Sequence, residues 1–190
     1  MKSVYLFLAD GFETIEALTV VDILRRAQVA ITTVSIKENK RVVSAHKIAV
    51  EADKTFDECD FADANLLVLP GGLPGTTNLE AHEGLSKLID DAAKREVKIA
   101  AICAAPSILA KKGLLDGKNA TAYPGYEEEL KYANELDTRV VVDGNFITAR
   151  GMGTTIEFAL TILKELGMKE DAERIGEGIQ FKQYYTAIEK

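Results

Sequence analysis

The sequence predicts a doubly wound α/β sandwich, in which a mostly parallel sheet lies between two layers of helices. Strand-like and helix-like segments alternate along most of the 190 residues. The strand-like segments are continuous apolar runs, as expected of strands that are covered on both faces. Apolar residues make up 47% of the chain, which is enough for one sizeable core. A single domain over residues 1–190 is therefore expected.

The first half of the chain begins this alternation. Three apolar runs predict buried strands, and they are Val4–Ala9, Ile31–Ile36 and Asn65–Leu69. Between the first two, Ile15–Arg26 has apolar residues at helical spacing, and Thr14 is a candidate cap for that helix. Arg41–Val50 predicts a pair of short strands.

The second half continues the alternation. The predicted strands are Val97–Ile102, Asn119–Ala122, and a hairpin of Arg139–Asp143 with Phe146–Ala149. The predicted helices are Thr77–Lys94 with a break near Gly84, Pro106–Lys112, a polar helix over Tyr126–Tyr132, Thr154–Leu166 and Asp171–Phe181. In sheets of this class, ligands bind beyond the carboxyl ends of the strands. The segments to search for a site are therefore Asp10–Glu13, Pro70–Gly72 and Cys103–Ala105.

Cys103 lies where an apolar strand stops and a helix begins, within IAAICAAPSILA. A residue in such a turn presents its side chain beyond the sheet, as in a nucleophile elbow. The following helix would direct N–H groups at the sulfur and so lower the pKa of the thiol. A buried cysteine that only packs as a small apolar side chain fits the same position. Position alone leaves both interpretations open.

The turn Pro70-Gly71-Gly72 follows the neighbouring strand. Glycines allow the backbone to approach a bound group closely. The N–H groups of Gly72 and Ala104 could together form an oxyanion hole, with Gly71 in the same substrate-binding turn. An ordinary turn that ends a strand is the alternative interpretation.

Two glutamates open the first predicted helix. Glu13 fits the usual role of a carboxylate that interacts with the helix dipole. Glu16 lies among apolar residues and faces the strand ends. Burial near a thiolate would raise its pKa, so that it stays protonated and donates a hydrogen bond to the sulfur. This arrangement would suit a general acid or a proton shuttle.

Other site chemistries find little support. His46 falls in the predicted hairpin and His82 falls within a helix, so neither is expected to act as a base for Cys103. Two histidines and two distant cysteines show no metal-ligand spacing, and Cys59 is expected to be a peripheral structural thiol. GGLPGTTN matches neither a dinucleotide fingerprint nor a P-loop. No metal and no cofactor are predicted.

The formal net charge of −7 argues against sequence-independent binding of nucleic acid, which needs a basic face. The apolar run after Met1 is too short to span a membrane and is followed by no cleavage region. Two cysteines make no disulfide framework. A cytoplasmic protein with reduced thiols, and without nucleic-acid or membrane partners, is therefore expected.

Four segments resemble the ThiJ/PfpI superfamily, in order and in spacing, over nearly the whole chain. They are LADGFETIEALTVVDILRRA, LVLPGGLPGTTNL, IAAICAAPSILA and ITARGMGTTIEFALTIL. Within that superfamily, the sequence is most similar to the branch of the parkinsonism-associated deglycase and the bacterial YajL-type proteins. The resemblance implies a flavodoxin-like sandwich, a homodimer and a cytoplasmic location.

The resemblance also implies roles for individual residues. Cys103 matches the reactive, oxidation-prone cysteine, and Glu16 matches the protonated glutamate that hydrogen-bonds to it. Gly72 and Ala104 match the backbone donors around the sulfur, and Arg150-Gly151 matches a loop near the site.

One position departs from the superfamily pattern. Where many members carry a histidine after the strand that follows the cysteine helix, this chain has Tyr123. A tyrosine hydroxyl is a poor base at neutral pH. The departure weakens a Cys-His hydrolase interpretation and leaves proton transfer to Glu16.

Two functions from different classes follow. The first is a cysteine-dependent deglycase or glyoxalase that acts on methylglyoxal or glyoxal and on their early protein adducts. The second is a redox sensor or oxidative-stress chaperone that works through oxidation of Cys103.

Overall fold

The structure is a computed structural model that describes residues 2–126 and 128–181. The strands are β1 (Ser3–Leu8), β2 (Ala30–Ser35), β3 (Arg41–Val43), β4 (Ala49–Glu51), β5 (Lys54–Thr55), β6 (Ala64–Leu69), β7 (Lys98–Ile102), β8 (Asn119–Ala120), β9 (Asn134–Glu135), β10 (Val140–Asp143) and β11 (Phe146–Ala149). The α-helices are α1 (Thr14–Arg26), α2 (Gly75–Ala81), α3 (Glu83–Lys94), α4 (Pro106–Lys111), α5 (Thr155–Glu165) and α6 (Lys169–Gly178). Two short 3₁₀ helices are Phe56–Glu58 and Met152–Thr154.

Seven strands form the central sheet in the order β10-β11-β7-β6-β1-β2-β5. Every neighbouring pair is parallel except β10 with β11, which form the predicted antiparallel hairpin. The strands β3 and β4 form a separate hairpin, as predicted for Arg41–Val50. The predicted fold class, a mostly parallel sheet between helix layers, is confirmed.

The core consists of two apolar clusters, one on each face of the sheet. Leu6 and Leu8 of β1 pack with α1, α5 and α6, whereas Phe7 points to the other face and packs with α3 and α4. This division follows from the two-residue period of a strand. All three side chains are fully buried, and each such burial contributes roughly 1.5–3 kcal/mol.

The topology determines where a site can form. The strands β7, β6 and β1 are adjacent and parallel, so their carboxyl ends lie side by side at one edge of the sheet. The turns that follow these strands are the three segments that the sequence indicated.

Some local predictions are wrong. No α-helix covers Tyr126–Tyr132: residues 128–132 form turns, and Glu127 lies outside the described residues. Among the described residues of this polar segment, Leu130 is the one buried side chain, so they do not form the apolar stripe that would hold a helix against the sheet. The cap of α1 is Glu13 and not Thr14, because the Glu13 carboxylate accepts from the N–H of Ile15.

Candidate active site

Cys103 occupies a strained turn between β7 and α4. Its φ of +66° is in the left-handed region, which a side chain with a Cβ adopts only under constraint. Two hydrogen bonds supply that constraint. The Cys103 N–H donates to the Ala149 carbonyl at 2.9 Å, and the Cys103 carbonyl accepts from the Tyr123 N–H at 2.9 Å. The turn therefore has the elbow geometry that the sequence predicted.

The backbone N–H groups of Gly72 and Ala104 lie near the Cys103 sulfur and act to lower the pKa of its thiol. These are the two donors predicted for an oxyanion hole. Hydrogen bonds of this kind stabilise a thiolate, and they are positioned to stabilise an oxygen anion bound beside the sulfur.

The two glycines after β6 make this close packing possible. A Cβ on Gly71 would lie 2.7 Å from both Cys103 Cβ and Glu16 Oε2. Gly72 has a φ of +91°, and a Cβ there would lie 2.4 Å from the Glu13 backbone nitrogen. Only glycine allows the turn to fit between Cys103 and the start of α1.

Glu16 is the buried carboxyl group beside the thiol, and it is only 1% exposed. Its Oε2 accepts from the Gly71 N–H at 2.9 Å, and the side chain has a hydrogen-bonding interaction with Cys103. Its Oε1 is buried and has no hydrogen-bond partner among the described residues. Burial raises the pKa of Glu16 to about 7, and the nearby Glu13 charge acts in the same direction. The predicted rise in this pKa is confirmed.

The pKa of Cys103 differs from the prediction. Burial raises it to about 12, and the Glu16 carboxylate adds to the effect, while the two N–H donors oppose it. The predicted lowering is therefore wrong while Glu16 is ionised. The helix α4 has only six residues, so its end contributes little to offset these effects. Because each group disfavours the charge of the other, the two side chains together hold two protons below about pH 7 and one proton above it.

The outer residues of the predicted site are only partly brought together. A Cβ on Gly151 would lie 3.3 Å from the Tyr123 ring and 3.9 Å from Cys103 Sγ, so Gly151 and Tyr123 form one wall beside the sulfur. Tyr123 is 52% exposed. Arg150 has a different partner, because its guanidinium forms an ion pair with Asp137 at 2.6 Å.

Sequence reasoning missed two neighbours of this site. Tyr126 lies close enough to Cys103 that the charge of the sulfur, together with burial, raises the pKa of the tyrosine. His46 was placed away from the strand ends, yet its Nδ1 lies 3.5 Å from Glu13 Oε2. The position of Tyr126, three residues after Tyr123, could have indicated that Tyr126 lies near the site. No local sequence pattern indicated that His46 lies near Glu13.

Within residues 2–126 and 128–181, no three His, Cys, Asp or Glu side chains form a group that could hold a metal ion. In the same ranges, no helix has both the length and the apolar character needed to cross a membrane.

The fold and this arrangement define a class of protein: α/β sandwiches that present one cysteine on a strand-to-helix elbow beside a buried carboxyl group. Comparison with known proteins agrees. The DJ-1/PfpI family model matches residues 2–165. The chain belongs to the DJ-1/PfpI family, which confirms the resemblance found in the sequence.

Individual relatives span different lengths. The chain is 36% identical over 184 residues to protein dj-1beta of Drosophila melanogaster, covering 94% of this chain and 96% of that protein. It is 29% identical over 179 residues to the glutathione-independent glyoxalase DJ-1 of Schizosaccharomyces pombe, covering 90% and 94%. It is 37% identical to the DJ-1 homologs B and A of Arabidopsis thaliana, but it spans only 37% and 45% of their lengths.

Solved structures of relatives have the same fold. A mutant of a DJ-1 superfamily protein from Salmonella typhimurium superposes with a TM-score of 0.90 at 33% identity, covering 95% of this chain and 99% of that one. Oxidized Toxoplasma gondii DJ-1 superposes with a TM-score of 0.90 at 29% identity and the same coverage.

Proposed function

We propose that this chain is a cofactor-independent enzyme of the glyoxalase or deglycase type. Its substrates would be methylglyoxal, glyoxal and their early adducts on protein amines. The observation that carries the proposal is the contact between Cys103 on its elbow and Glu16, whose pKa is about 7. An acid–base group with such a pKa both accepts and donates protons at neutral pH. The S. pombe relative, a glutathione-independent glyoxalase by name, supports the same chemistry.

The first step forms a bond between sulfur and carbon. Ionised Glu16 takes the proton of the Cys103 thiol as the sulfur attacks the aldehyde carbon of methylglyoxal. The carbonyl electron pair moves to oxygen, where the N–H groups of Gly72 and Ala104 stabilise the charge. Glu16 then returns the proton to that oxygen, which gives a neutral hemithioacetal.

The second step moves a proton between neighbouring carbons. Glu16 removes the proton from the former aldehyde carbon and delivers it to the former ketone carbon, while the hydroxyl proton of the hemithioacetal moves to the former ketone oxygen, which gives a thioester of lactate. One carbon is oxidised as the other is reduced, so the step needs no external oxidant or reductant. Water then cleaves the carbon–sulfur bond and releases lactate. For an adduct on an amine, the carbon–nitrogen bond breaks as the carbon–sulfur bond forms, and the amine leaves with a proton.

The decisive experiment compares the two cysteines. Cys103→Ser should abolish formation of lactate from methylglyoxal, because a hydroxyl beside a carboxylate is a far weaker nucleophile than a thiol. Cys59→Ser is the matched control and should retain the wild-type rate. Turnover that persists in the Cys103→Ser variant would contradict the proposal.

A redox function is the second candidate. Two N–H donors at the Cys103 sulfur could hold the oxygens of a sulfinate, and a relative from T. gondii has been solved oxidized. One peroxide would convert the thiolate to a sulfenate and water, and a second would give the sulfinate and water. Intact mass after mild peroxide should show two added oxygen atoms on Cys103. An unchanged mass would contradict this function.

We also propose that the protein works as a homodimer in the cytoplasm. Three large apolar side chains close in sequence to site residues are about half exposed, namely Ile15, Ile48 and Met152. Such side chains are typical of surfaces that pack against another subunit. Sedimentation analysis should give twice the chain mass, and a monomer at micromolar concentration would contradict the dimer.

A further inference from the structure

His46 is held at the entrance of the site by the docking of a hairpin. Two backbone hydrogen bonds fasten the β3–β4 hairpin to the loop after β1. The Gly11 N–H donates to the Val43 carbonyl at 2.8 Å, and the Ala45 N–H donates to the Phe12 carbonyl at 2.9 Å. The imidazole that follows Ala45 is therefore placed beside the side chain that follows Phe12.

Glu13 links this histidine to the interior. Its Oε2 lies 3.5 Å from His46 Nδ1, and the two side chains are 15% and 73% exposed, respectively. Two hydrogen bonds hold Glu13 in place. Its N–H donates to the Gly71 carbonyl at 2.8 Å, and its Oε1 accepts from the Ile15 N–H at 3.5 Å. The histidine is thus largely exposed to solvent, whereas the carboxylate is mostly buried.

The charge of Glu13 acts on Glu16, whose pKa it raises, since two nearby carboxylates disfavour each other. A positive charge on His46 would offset that effect. The other titratable or charged groups that face the site or adjoin the pair are Cys103, Tyr126, Lys47, and Asp10 in its ion pair with Lys37 at 2.7 Å.

We propose that Glu13 and His46 form a charge pair that sets the pH at which the Glu16–Cys103 pair loses the first of its two protons. Histidine changes its charge within the neutral pH range. Protonated His46 would offset the Glu13 charge and favour loss of this first proton, so Glu16 would remain available as a base for the thiol as the pH falls. Neutral His46 leaves the Glu13 charge in place and opposes that loss. His46 acts through Glu13 and is therefore a positioning residue.

The inference rests on the proposed function for its catalytic meaning, but its test measures only the thiol. In a Cys59→Ser background, the rate of alkylation of Cys103 by iodoacetamide is followed by intact mass from about pH 5 to 9. The rate should rise as the pair loses the first of its two protons, and the midpoint of that rise is compared between variants. Circular dichroism confirms that each variant is folded.

Substitutions at the two positions should shift the midpoint in opposite directions. We expect His46→Gln to raise it and Glu13→Gln to lower it, each by a few tenths of a pH unit to about one unit. His46→Lys keeps a positive charge and should lower it. In the Glu13→Gln background, His46→Gln should have a smaller effect, because the charge it offsets is gone.

Equal midpoints in all variants would overturn the inference, and so would shifts of both single glutamine variants in the same direction. Lactate formation is measured separately in the same proteins. The expected shifts without any turnover would contradict the proposed function alone, whereas turnover with unmoved midpoints would contradict this inference alone.

Discussion

The two cysteines of this chain show how differently one fold can treat a thiol. Cys59 follows the 3₁₀ helix Phe56–Glu58 with an ordinary φ of −103°, and its S–H donates to the Thr55 carbonyl at 3.4 Å. Cys103 has a φ of +66°, and the backbone N–H groups of Gly72 and Ala104 near its sulfur act to lower the pKa of its thiol. Both are partly buried, and burial raises the pKa of both thiols.

Cys103 is the more deeply buried of the two, so what distinguishes it as a candidate for a reactive thiol is its partners. A carbonyl acceptor stabilises the protonated thiol of Cys59, whereas N–H donors stabilise the thiolate of Cys103. Only Cys103 has a buried carboxyl group, Glu16, to take its proton. The comparison teaches that burial alone makes a thiol inert, and that a reactive thiol needs donors and a proton acceptor placed around it.

The largest effect is expected when Glu16, the proton acceptor for Cys103, is replaced. Glu16→Gln should lower kcat with methylglyoxal roughly 100- to 10,000-fold, since the thiol loses its general base. Glu58→Gln alters the carboxylate near Cys59 and serves as the matched control. We expect it to leave kcat unchanged. Stopped-flow measurement of methylglyoxal consumption checks both. A Glu16→Gln variant with the wild-type rate would remove Glu16 from the mechanism.

The second test concerns the packing that holds the N–H donors near Cys103. Gly72→Ala places a Cβ 2.4 Å from a backbone nitrogen at a φ of +91°. We expect the free energy of unfolding to fall by about 3 kcal/mol, with loss of turnover. Gly178→Ala, at the end of α6 with open space around it, should change stability by less than about 1 kcal/mol. Urea denaturation measures both, and equal stability of the two variants would contradict the packing described.

The third test uses pH. Glu16 has a folded-state pKa of about 7, above its ordinary value of 4.5, so the folded state holds its proton more tightly than the unfolded state. The stability that this provides is complete below pH 4.5 and is lost as the pH rises through 7, a decrease of about 3 kcal/mol. Denaturation midpoints of the wild type and Glu16→Gln between these pH values check it. The Glu16→Gln variant should lack this decrease in stability. A parallel decrease in both proteins would mean that other groups cause it.

The smallest effect is expected at the other thiol. Cys59→Ser replaces a weak S–H donor to the Thr55 carbonyl with a hydroxyl that can make the same hydrogen bond. Stability should change by about 1 kcal/mol or less, with no change in turnover. Thermal denaturation and the methylglyoxal assay measure the two quantities. Loss of turnover would show that the second thiol takes part in the reaction.

Much of the fold and the centre of the site follow from the sequence. Cys103 and Gly72 each come directly after a continuous apolar run, and parallel strands bring such positions to one edge. Glu16 was identifiable because it interrupts an apolar helix face. These signals are local in the sequence. The rule that parallel strands end at the same edge of the sheet predicts that the residues lie together in space.

The remaining features depend on contacts between distant segments. The position of His46 depends on how the β3–β4 hairpin docks on the loop after β1. The ion pair of Arg150 with Asp137 depends on the path of a loop, which hydrophobic periodicity does not predict. The direction of the Cys103 pKa depends on how the whole fold buries the sulfur and on the charge of Glu16, which spacing does not reveal.

The hydrogen bond from the Cys103 N–H to the Ala149 carbonyl spans two parallel strands that are far apart in the chain. A ribosome that has delivered β7 has not yet delivered β11, so during synthesis the cysteine has neither this anchor nor the wall formed by Gly151. The surroundings of the sulfur are therefore completed late in the life of each nascent chain, and an unfinished or truncated product would carry this thiol without them.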